Sequence, residues 1–279
     1  MKKFICGSYS LPLGNKTYIM GILNVTPDSF SDGGKYSDTV SALRHAEKMI
    51  EEGADIIDIG AVSTRPFSDY VSPEEEWERL CDVIRELKKN FAVPLSVDTF
   101  NPSVAEKCLD MGADIINDVS GVISSEMAEN VKKYHGGWVV MHGGVKVNKT
   151  EAVCDYPDGI LNDVNEFFSS SVGIMEKYGI KKENICLDAG FGFAKTVSQN
   201  KELLNNFHLL EKNDCALLCG LSRKRFIGEL SGESDSSSRL GGTFAANILA
   251  ASKGADIIRV HEISLHKKGL MTVDGLLKD

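Results

Sequence analysis

The sequence lacks an excess of positive charge and any long apolar segment. Its 31 Lys and Arg residues are outnumbered by 40 Asp and Glu residues, which gives a formal net charge of -9. This balance excludes a general binder of the nucleic-acid backbone, so any bound anion must meet a local cationic cluster. No run reaches the roughly 18 to 20 apolar residues of a membrane span, the N-terminal MKKFICGSYSLPLG included. We therefore expect a cytoplasmic protein that engages neither membrane nor nucleic acid.

Paired cysteines are also lacking. The seven cysteines are scattered and odd in number, and no two form a CxxC motif. This pattern argues against both a disulfide framework and a zinc site. Cys215 and Cys219 lie close together, but they belong to the apolar, strand-like segment CALLCG. We expect most cysteines to be small buried hydrophobic residues.

Short apolar runs alternate with longer amphipathic stretches along the chain, which predicts alternating strands and helices. The predicted strands are 18–24, 55–60, 94–99, 114–119, 137–142, 184–190, 216–222 and 256–261. Seven predicted helices begin at Ser41, Glu74, Pro102, Ser125, Ile160, Gln199 and Arg239. Eight such units without a linker predict an α/β fold, a (β/α)8 TIM barrel, in a single domain over 1–279. An open doubly wound sheet is the alternative, although the count of eight favours closure.

A five-letter word, GADII, occurs three times, beginning at Gly53, Gly112 and Gly254. The spacings correspond to about two and four units of roughly 30 to 35 residues each, which places the word before the second, fourth and eighth strands. We interpret the Gly as a helix end, Ala-Asp as a turn at the bottom of the barrel and Ile-Ile as barrel wall. The endings differ as DIG, NDV and RVH, so any function belongs to the endings.

Polar residues follow every predicted strand at its C-terminal end, where barrel active sites lie. Asp98, Asn117 and Asp188 supply acceptors and one amide, which suits a flat heterocycle with several N–H donors, such as a pterin or guanine edge. A cationic set suits a phosphate or diphosphate. Its members are Arg65, Lys224, Arg259 and His261. Asn24 is a candidate Mg²⁺ ligand through its side-chain oxygen, or alternatively a strand cap.

Two polar loops, 26–38 and 61–73, have the composition of lids that close over a substrate. Both mix Pro, Ser and Asp, and the first contains a Gly pair. The Ser-rich segment 232–239 is interpreted as a solvated connector. The two loops are therefore the expected cover of the active site.

Several motifs occur in one order that resembles the dihydropteroate synthase family of pterin-binding enzymes. They are MGILNVTPDSFSDGG, STRP, SVDT, GADIINDV, LDAGFGFAKT, GLSRKRFIG and RVH. The resemblance implies a (β/α)8 barrel, a homodimer and Mg²⁺ dependence. It also implies a folate-biosynthesis transferase that joins 4-aminobenzoate to 6-hydroxymethyl-7,8-dihydropterin diphosphate and releases pyrophosphate. Sulfonamides would then be inhibitors that mimic the acceptor.

The resemblance also implies roles for individual residues. Asp98, Asn117, Asp188 and Lys224 would hold the pterin. The diphosphate would be held by Asn24, Arg259 and His261, with Asn24 also on Mg²⁺. Asp32 and Arg65 would close over the site, while Thr64, Pro66 and Phe193 would border the aminobenzoate. Asp32, Arg65 and Lys224 are the predicted catalytic residues, and Asp32 would stabilise a methylene cation.

The sequence departs from the family pattern in two motifs. It has GAVSTRPF where the family commonly has GGESTRPG, and LDAG where the family has LDPG. Phe67 adds bulk beside the expected aminobenzoate site, so we expect sulfonamide inhibition to differ from that of a Phe67→Gly variant. Two alternatives remain, a methyltetrahydrofolate-type pterin methyltransferase and a silent pterin-binding paralogue. Neither accounts for the cationic motifs STRP, SRK and RVH as well as a synthase that binds a diphosphate does.

Overall fold

Eight parallel strands close into a barrel in a computed structural model that describes residues 2–25, 34–62, 70–143 and 155–277, with only the backbone of 34–38 described. The order around the barrel is β10-β3-β4-β5-β6-β7-β8-β9. The strands are β3 Tyr18–Asn24, β4 Ile56–Gly60, β5 Leu95–Asp98, β6 Ile115–Asp118, β7 Gly137–Met141, β8 Ile185–Asp188, β9 Ala216–Cys219 and β10 Ile257–Val260. The predicted fold is confirmed, and each predicted strand is present.

Helices follow the barrel strands. They are α1 Gly34–Glu51, α2 Pro73–Asn90, α3 Pro102–Asp110, α4 Ser125–Tyr134, α5 Ile160–Lys177, α6 Val197–Asn205, α7 Arg225–Ser231, α8 Leu240–Ser252 and α9 Ile263–Leu277. All seven predicted helices are present, although α6 ends earlier than predicted and a 3-10 turn, Phe207–Leu209, follows it. Two further helices, the short α7 and the C-terminal α9, were not predicted. Among the described helices, none has the length and apolarity to cross a membrane.

An antiparallel hairpin, β1 Lys3–Cys6 and β2 Tyr9–Pro12, precedes the barrel and was not predicted. Its apolar side chains join inward-facing residues of seven barrel strands in one buried cluster at the N-terminal end of the barrel. The hairpin packs so closely against β7 that a Cβ on Gly137 would lie 2.6 Å from Phe4 Cζ. Both hairpin strands contain exposed residues, so they do not show the continuous apolar runs that predict the buried barrel strands.

The GADII repeat builds the bottom of the barrel, as the sequence analysis interpreted it. Gly53, Gly112 and Gly254 have φ of 102°, 100° and 97°, a region that strongly favours glycine after a helix. In the turn that follows, each Asp accepts the backbone N–H of a residue in the preceding strand, Ile19, Leu95 or Leu217. Each Asp also pairs with one lysine. The shared letters are therefore structural.

Most of the described cysteines are small buried residues, as predicted. Cys6, Cys108, Cys186, Cys215 and Cys219 are buried and unbridged. Burial raises the pKa of the Cys6 thiol to about 12. These thiols are protonated at neutral pH and pack as hydrophobic residues.

Candidate active site

Three strands bring the predicted acceptor residues to one level of the barrel. Gly60 of β4 pairs in register with Asp98 of β5, and Asp98 pairs with Asn117 of β6. Asp188 ends β8, across from this group, and all four positions face inward because side chains alternate along a strand. Asn117 and Asp188 are buried, and Asp98 is half-buried. The structure therefore brings Asp98, Asn117 and Asp188 together at the C-terminal end of the barrel.

Arg259 of β10 pairs with two carboxylates inside this pocket. Its Nε lies 2.7 Å from Asp58 Oδ2, and its Nη2 lies 2.8 Å from Asp98 Oδ2. The sequence analysis assigned Arg259 to a diphosphate, and the structure shows two of its nitrogens engaged by carboxylates on the pocket floor. Its role toward the diphosphate stays a prediction.

Asp58 of β4 was missed by the sequence analysis. It is fully buried and accepts hydrogen bonds from Ser96 Oγ at 2.5 Å and from Asn117 Nδ2 at 3.2 Å, in addition to Arg259. A signal was present, because period-two alternation along IIDIG turns Asp58 to the same side as Gly60. A charged residue on the inward side of a buried strand is rare enough to mark a site.

Burial shifts the pKa values of the pocket groups toward neutral pH. Desolvation raises the pKa of Asp98 to about 7, opposed by Arg259 and reinforced by Asp58 and Glu76. Desolvation also raises the pKa of Asp188, although Gly190 N–H and Lys224 oppose it. The pKa of Lys224 is lowered to about 8, again chiefly by burial. Ionisable groups with pKa values this close to neutrality are typical of functional sites.

Lys224 and Phe193 form a second contact at the rim. The ammonium nitrogen of Lys224, the residue that precedes α7, lies 3.8 Å from the centroid of the Phe193 ring. The ring thus sits within range of a cation–π interaction with a lysine that faces the pocket carboxylates. The structure places Phe193 beside Lys224, where a ring-bearing substrate would meet both.

The loop that carries Phe193 is held by groups the sequence analysis did not assign. The buried Lys195 ammonium donates to Gly190 O at 3.0 Å and to Phe193 O at 3.2 Å. Asn200 Oδ1 accepts from Gly192 N at 2.8 Å. A Cβ on Gly190 would lie 1.9 Å from His142 O, so only glycine fits there. The motif GFGFAKT is therefore a rigid support for Phe193.

His261 and Ser222 face each other across the ends of β10 and the loop after β9. Ser222 Oγ lies 2.8 Å from His261 Nδ1 and accepts from the His261 backbone N–H at 3.4 Å. The next residues, Arg223 and Glu262, form an ion pair. These contacts fix the His261 ring at the rim, close in sequence to Arg259.

Asn24 ends β3 and is exposed at the rim, and its role as a Mg²⁺ ligand stays a prediction. A Cβ on Gly60 would lie 3.7 Å from Asn24 Oδ1 and 3.9 Å from Asp98 Oδ2, so the missing side chain leaves room between these two oxygens. The described residues contain no group of three His, Cys, Asp or Glu side chains that would form a metal cage. One exposed amide oxygen suits Mg²⁺, which takes many ligands from substrate phosphates and water.

Four predicted site residues, Asp32, Thr64, Arg65 and Pro66, lie outside the described residues, as does Phe67. The ends of the second loop are described. Arg79 Nη1 donates to Ala61 O at 2.9 Å, and Ser72 Oγ accepts from Glu75 N as the N-cap of α2. The loop is therefore anchored on both sides by α2.

The family model of the pterin binding enzyme matches residues 20–261. The chain belongs to the pterin-binding enzyme family.

Within that family, the chain is similar to dihydropteroate synthases. The chain is 39% identical to dihydropteroate synthase of Clostridium beijerinckii over 274 residues, which cover 98% of each protein. A structure of Xanthomonas albilineans dihydropteroate synthase with 4-aminobenzoic acid has a TM-score of 0.90 and 37% identity, covering 99% of this chain and 98% of that one. A Yersinia pestis dihydropteroate synthase structure with a sulfonamide drug has a TM-score of 0.89 and 36% identity, covering 98% of each. The predicted family and enzyme class, a transferase of folate biosynthesis, are confirmed.

Proposed function

We propose that this chain condenses 6-hydroxymethyl-7,8-dihydropterin diphosphate with 4-aminobenzoate, giving 7,8-dihydropteroate and pyrophosphate. The observation that supports this substrate pair is the inward-facing set of acceptors, Asp98, Asn117 and Asp188, together with the cations Lys224 and Arg259. Carboxylates are matched to the N–H donors of an amino-pyrimidinone ring, and the ammonium of Lys224 is matched to its oxygen and ring-nitrogen acceptors.

The diphosphate is assigned to the rim above the acceptors. His261 lies there, and Asn24 is exposed there on the side of Gly60. Asn24 would hold Mg²⁺ through its amide oxygen, and the ion, when bound, offsets the charge of the departing diphosphate. Arg259 adds a positive field from the floor of the same pocket.

The reaction is a dissociative substitution at the pterin methylene carbon. The bond from this carbon to the diphosphate oxygen breaks, and both electrons leave with pyrophosphate. The electron-rich pterin delocalises the resulting cation, and Asp98 and Asp188 offset its charge. The arylamine nitrogen then forms the new bond to the methylene carbon and loses one proton to water or to a nearby base.

Phe193 and the two loops are assigned to the second substrate. The Phe193 ring would pack on the aminobenzoate ring, with Thr64 and Pro66 on its border. Asp32 and Arg65 would close over the site and exclude water that would otherwise capture the cation. These four loop roles stay predictions, as does the effect of Phe67 on sulfonamide inhibition, which the inhibition constants of the Phe67→Gly variant test.

Pyrophosphate release from the pterin diphosphate, measured with and without Mg²⁺ and 4-aminobenzoate, tests the proposal. We expect release that requires Mg²⁺ and a dihydropteroate product that requires the acceptor. Pterin binding without any release would identify a silent paralogue. Methyl transfer from methyltetrahydrofolate without condensation would identify the methyltransferase alternative. Either result contradicts the proposal.

We also propose a cytoplasmic homodimer formed through helices α7 to α9. Several large apolar side chains are exposed on these helices. They are Leu230, Leu249, Leu265, Met271, Leu276 and Leu277. Exposed apolar side chains mark an interaction surface where they form one contiguous patch, which is what the proposed interface requires of these helices. Light scattering should give twice the mass of one chain, and a Met271→Glu variant should shift the mass toward the monomer; an unchanged monomer in both would contradict the dimer.

A further inference from the structure

Asp58 is a buried carboxylate that the proposed reaction does not use. It is fully buried, and its Oδ2 accepts from Arg259 Nε at 2.7 Å and from Asn117 Nδ2 at 3.2 Å. Its Oδ1 accepts from Ser96 Oγ at 2.5 Å. Donors from three different strands thus converge on one side chain beneath the pocket.

An ionised carboxylate can only accept hydrogen bonds, whereas a primary amide has one donor end and one acceptor end. The hydrogen bond to Asp58 therefore requires Asn117 to present its amino group. The two ends of the planar amide point away from each other, so the Asn117 oxygen points away from Asp58. The choice between the two orientations of the amide is made by Asp58.

The accessibility of that oxygen shows where it points. Asp58 of β4 and Asn117 of β6 lie on alternate strands, which contribute side chains to the same layer of the barrel, so the Asn117 amino group is directed sideways to Asp58. Among the described residues, none donates a hydrogen bond to the Asn117 oxygen, and this oxygen is not one of the buried atoms that lack a partner. It is therefore open to the pocket, where a substrate can donate to it.

We propose that Asp58 is a positioning residue that makes Asn117 an acceptor toward the substrate, so that the pocket selects pteridines with a 2-amino group. Asp98, Asp188 and Asn117 then all present acceptors to the pyrimidine ring. A 2-amino pteridine offers donors to them. A 2-oxo pteridine turns a carbonyl oxygen toward acceptors and leaves buried groups unpaired, which is costly. This inference rests on the proposed function and names the origin of its substrate selectivity.

Binding of two ligands tests the inference without turnover. Dissociation constants for pterin and for its 2-oxo analogue lumazine are measured by calorimetry at a pH one unit above the pKa of Asp98, which is about 7. The variants are Asp58→Asn, Asp58→Ala and Ser96→Ala. The Ser96→Ala control removes a donor to Asp58 that has no part in the pocket.

We expect the wild type to prefer pterin. Asp58→Asn should keep this preference, because its amide oxygen still accepts from Asn117 and Arg259. In Asp58→Ala, the preference for pterin over lumazine should fall by about 10- to 100-fold. Water in the vacated space can donate as well as accept, so the Asn117 amide is free to turn. Ser96→Ala should stay within about twofold of the wild type. An unchanged preference in Asp58→Ala, or an equal loss in Asp58→Asn, would overturn the inference.

Nuclear magnetic resonance of the unmodified protein tests the inference even if Asp58→Ala does not fold. In protein labelled with ¹³C and ¹⁵N at asparagine, the Asn117 side chain is assigned by its loss in Asn117→Ser. Pterin should shift the side-chain carbonyl ¹³C signal more than the amino ¹⁵N signal. A dominant shift of the amino signal would overturn the inference. Loss of condensation activity with intact selective binding would contradict only the proposed function.

Discussion

The two ends of the barrel both pair carboxylates with cations, but they do so in different ways. At the N-terminal end, Asp55, Asp114 and Asp256 each have their own lysine, at 2.6 Å, 2.7 Å and 3.0 Å. Each of these carboxylates also accepts one backbone N–H from the neighbouring strand. The same local pairing is repeated at three strands, which indicates that these aspartates connect neighbouring strands and have a structural role.

At the C-terminal end the carboxylates share their cations. Asp58 and Asp98 both form an ion pair with the guanidinium of Arg259. Asp98 and Asp188 both face the ammonium of Lys224. Desolvation raises the pKa of Asp98 and Asp188, and it also raises the pKa of Asp114 at the N-terminal end, so a raised pKa does not by itself separate the two ends. The sharing of cations does separate them, because two carboxylates that share one cation are incompletely paired, and this is the end that carries the candidate site.

Substitution of Lys224 should have the largest effect on activity. We expect Lys224→Met to lower kcat/KM by about 10³-fold, since it removes a preorganised cation from the pocket. The thermal midpoint should stay the same or rise, because desolvation lowers the pKa of Lys224 and its charge therefore costs stability in the folded protein. Steady-state kinetics and calorimetry measure both. An exposed lysine of α6 provides the control, Lys201→Met, which should change neither; a clear fall in the midpoint of Lys224→Met would contradict the functional assignment.

Substitution of Asp114 should have the opposite pattern. Asp114→Ala leaves the buried Leu95 N–H without its acceptor and Lys88 without its partner. We expect the free energy of unfolding to fall by about 3 kcal/mol. Denaturant unfolding measures this change, and kcat/KM of the folded enzyme should stay within about twofold. Lys88→Met, which removes only the partly exposed cation, should cost less than Asp114→Ala; equal costs would refute the role of the backbone hydrogen bond.

The pH dependence of activity should report the functional end alone. Asp98 accepts hydrogen bonds when it is ionised, so kcat/KM should rise as the pH increases through about 7. Lys224 donates when it is protonated, so kcat/KM should fall as the pH rises above about 8. The plot of kcat/KM against pH should therefore be bell-shaped. Its two apparent pKa values belong to the interacting groups together and not to single residues. A profile that is flat across both values would contradict the pairing of these groups in the free enzyme.

Substitution of Phe193 should have the smallest effect. Phe193→Leu removes the ring 3.8 Å from the Lys224 ammonium but keeps an apolar side chain. The lost interaction is about 1 kcal/mol, or roughly fivefold in kcat/KM, and the basic limb should move to lower pH because the charged lysine loses a stabilising contact. An unchanged basic limb would show that the ring does not stabilise the ammonium.

Periodicity and motif order predicted the barrel, all eight of its strands and the set Asp98, Asn117 and Asp188. The hairpin β1–β2 was not predicted because its strands contain exposed residues and do not form the continuous apolar runs of the barrel strands. The C-terminal helix α9 was overlooked although it is long. Local patterns suffice for barrel elements because each unit repeats the same alternation of buried strand and amphipathic helix.

The polar partnerships were not predictable from sequence. Arg259 and Asp58 are 201 residues apart, and no local pattern brings them together. The strand register does so, and the register depends on closure of the whole barrel. Lys195 was likewise not recognised as the support of the Phe193 loop, because that contact depends on the backbone path after β8. A motif identified which residues matter, and the fold determined what they touch.

The central claim is that the two ends of this barrel separate chemistry from stability. The most direct test measures kcat/KM and the free energy of unfolding for Lys224→Met and Asp114→Ala in parallel. We predict a crossed result, with activity lost and stability kept in Lys224→Met, and stability lost and activity kept in Asp114→Ala. Loss of both properties in either variant, under conditions where it is folded, would contradict the claim.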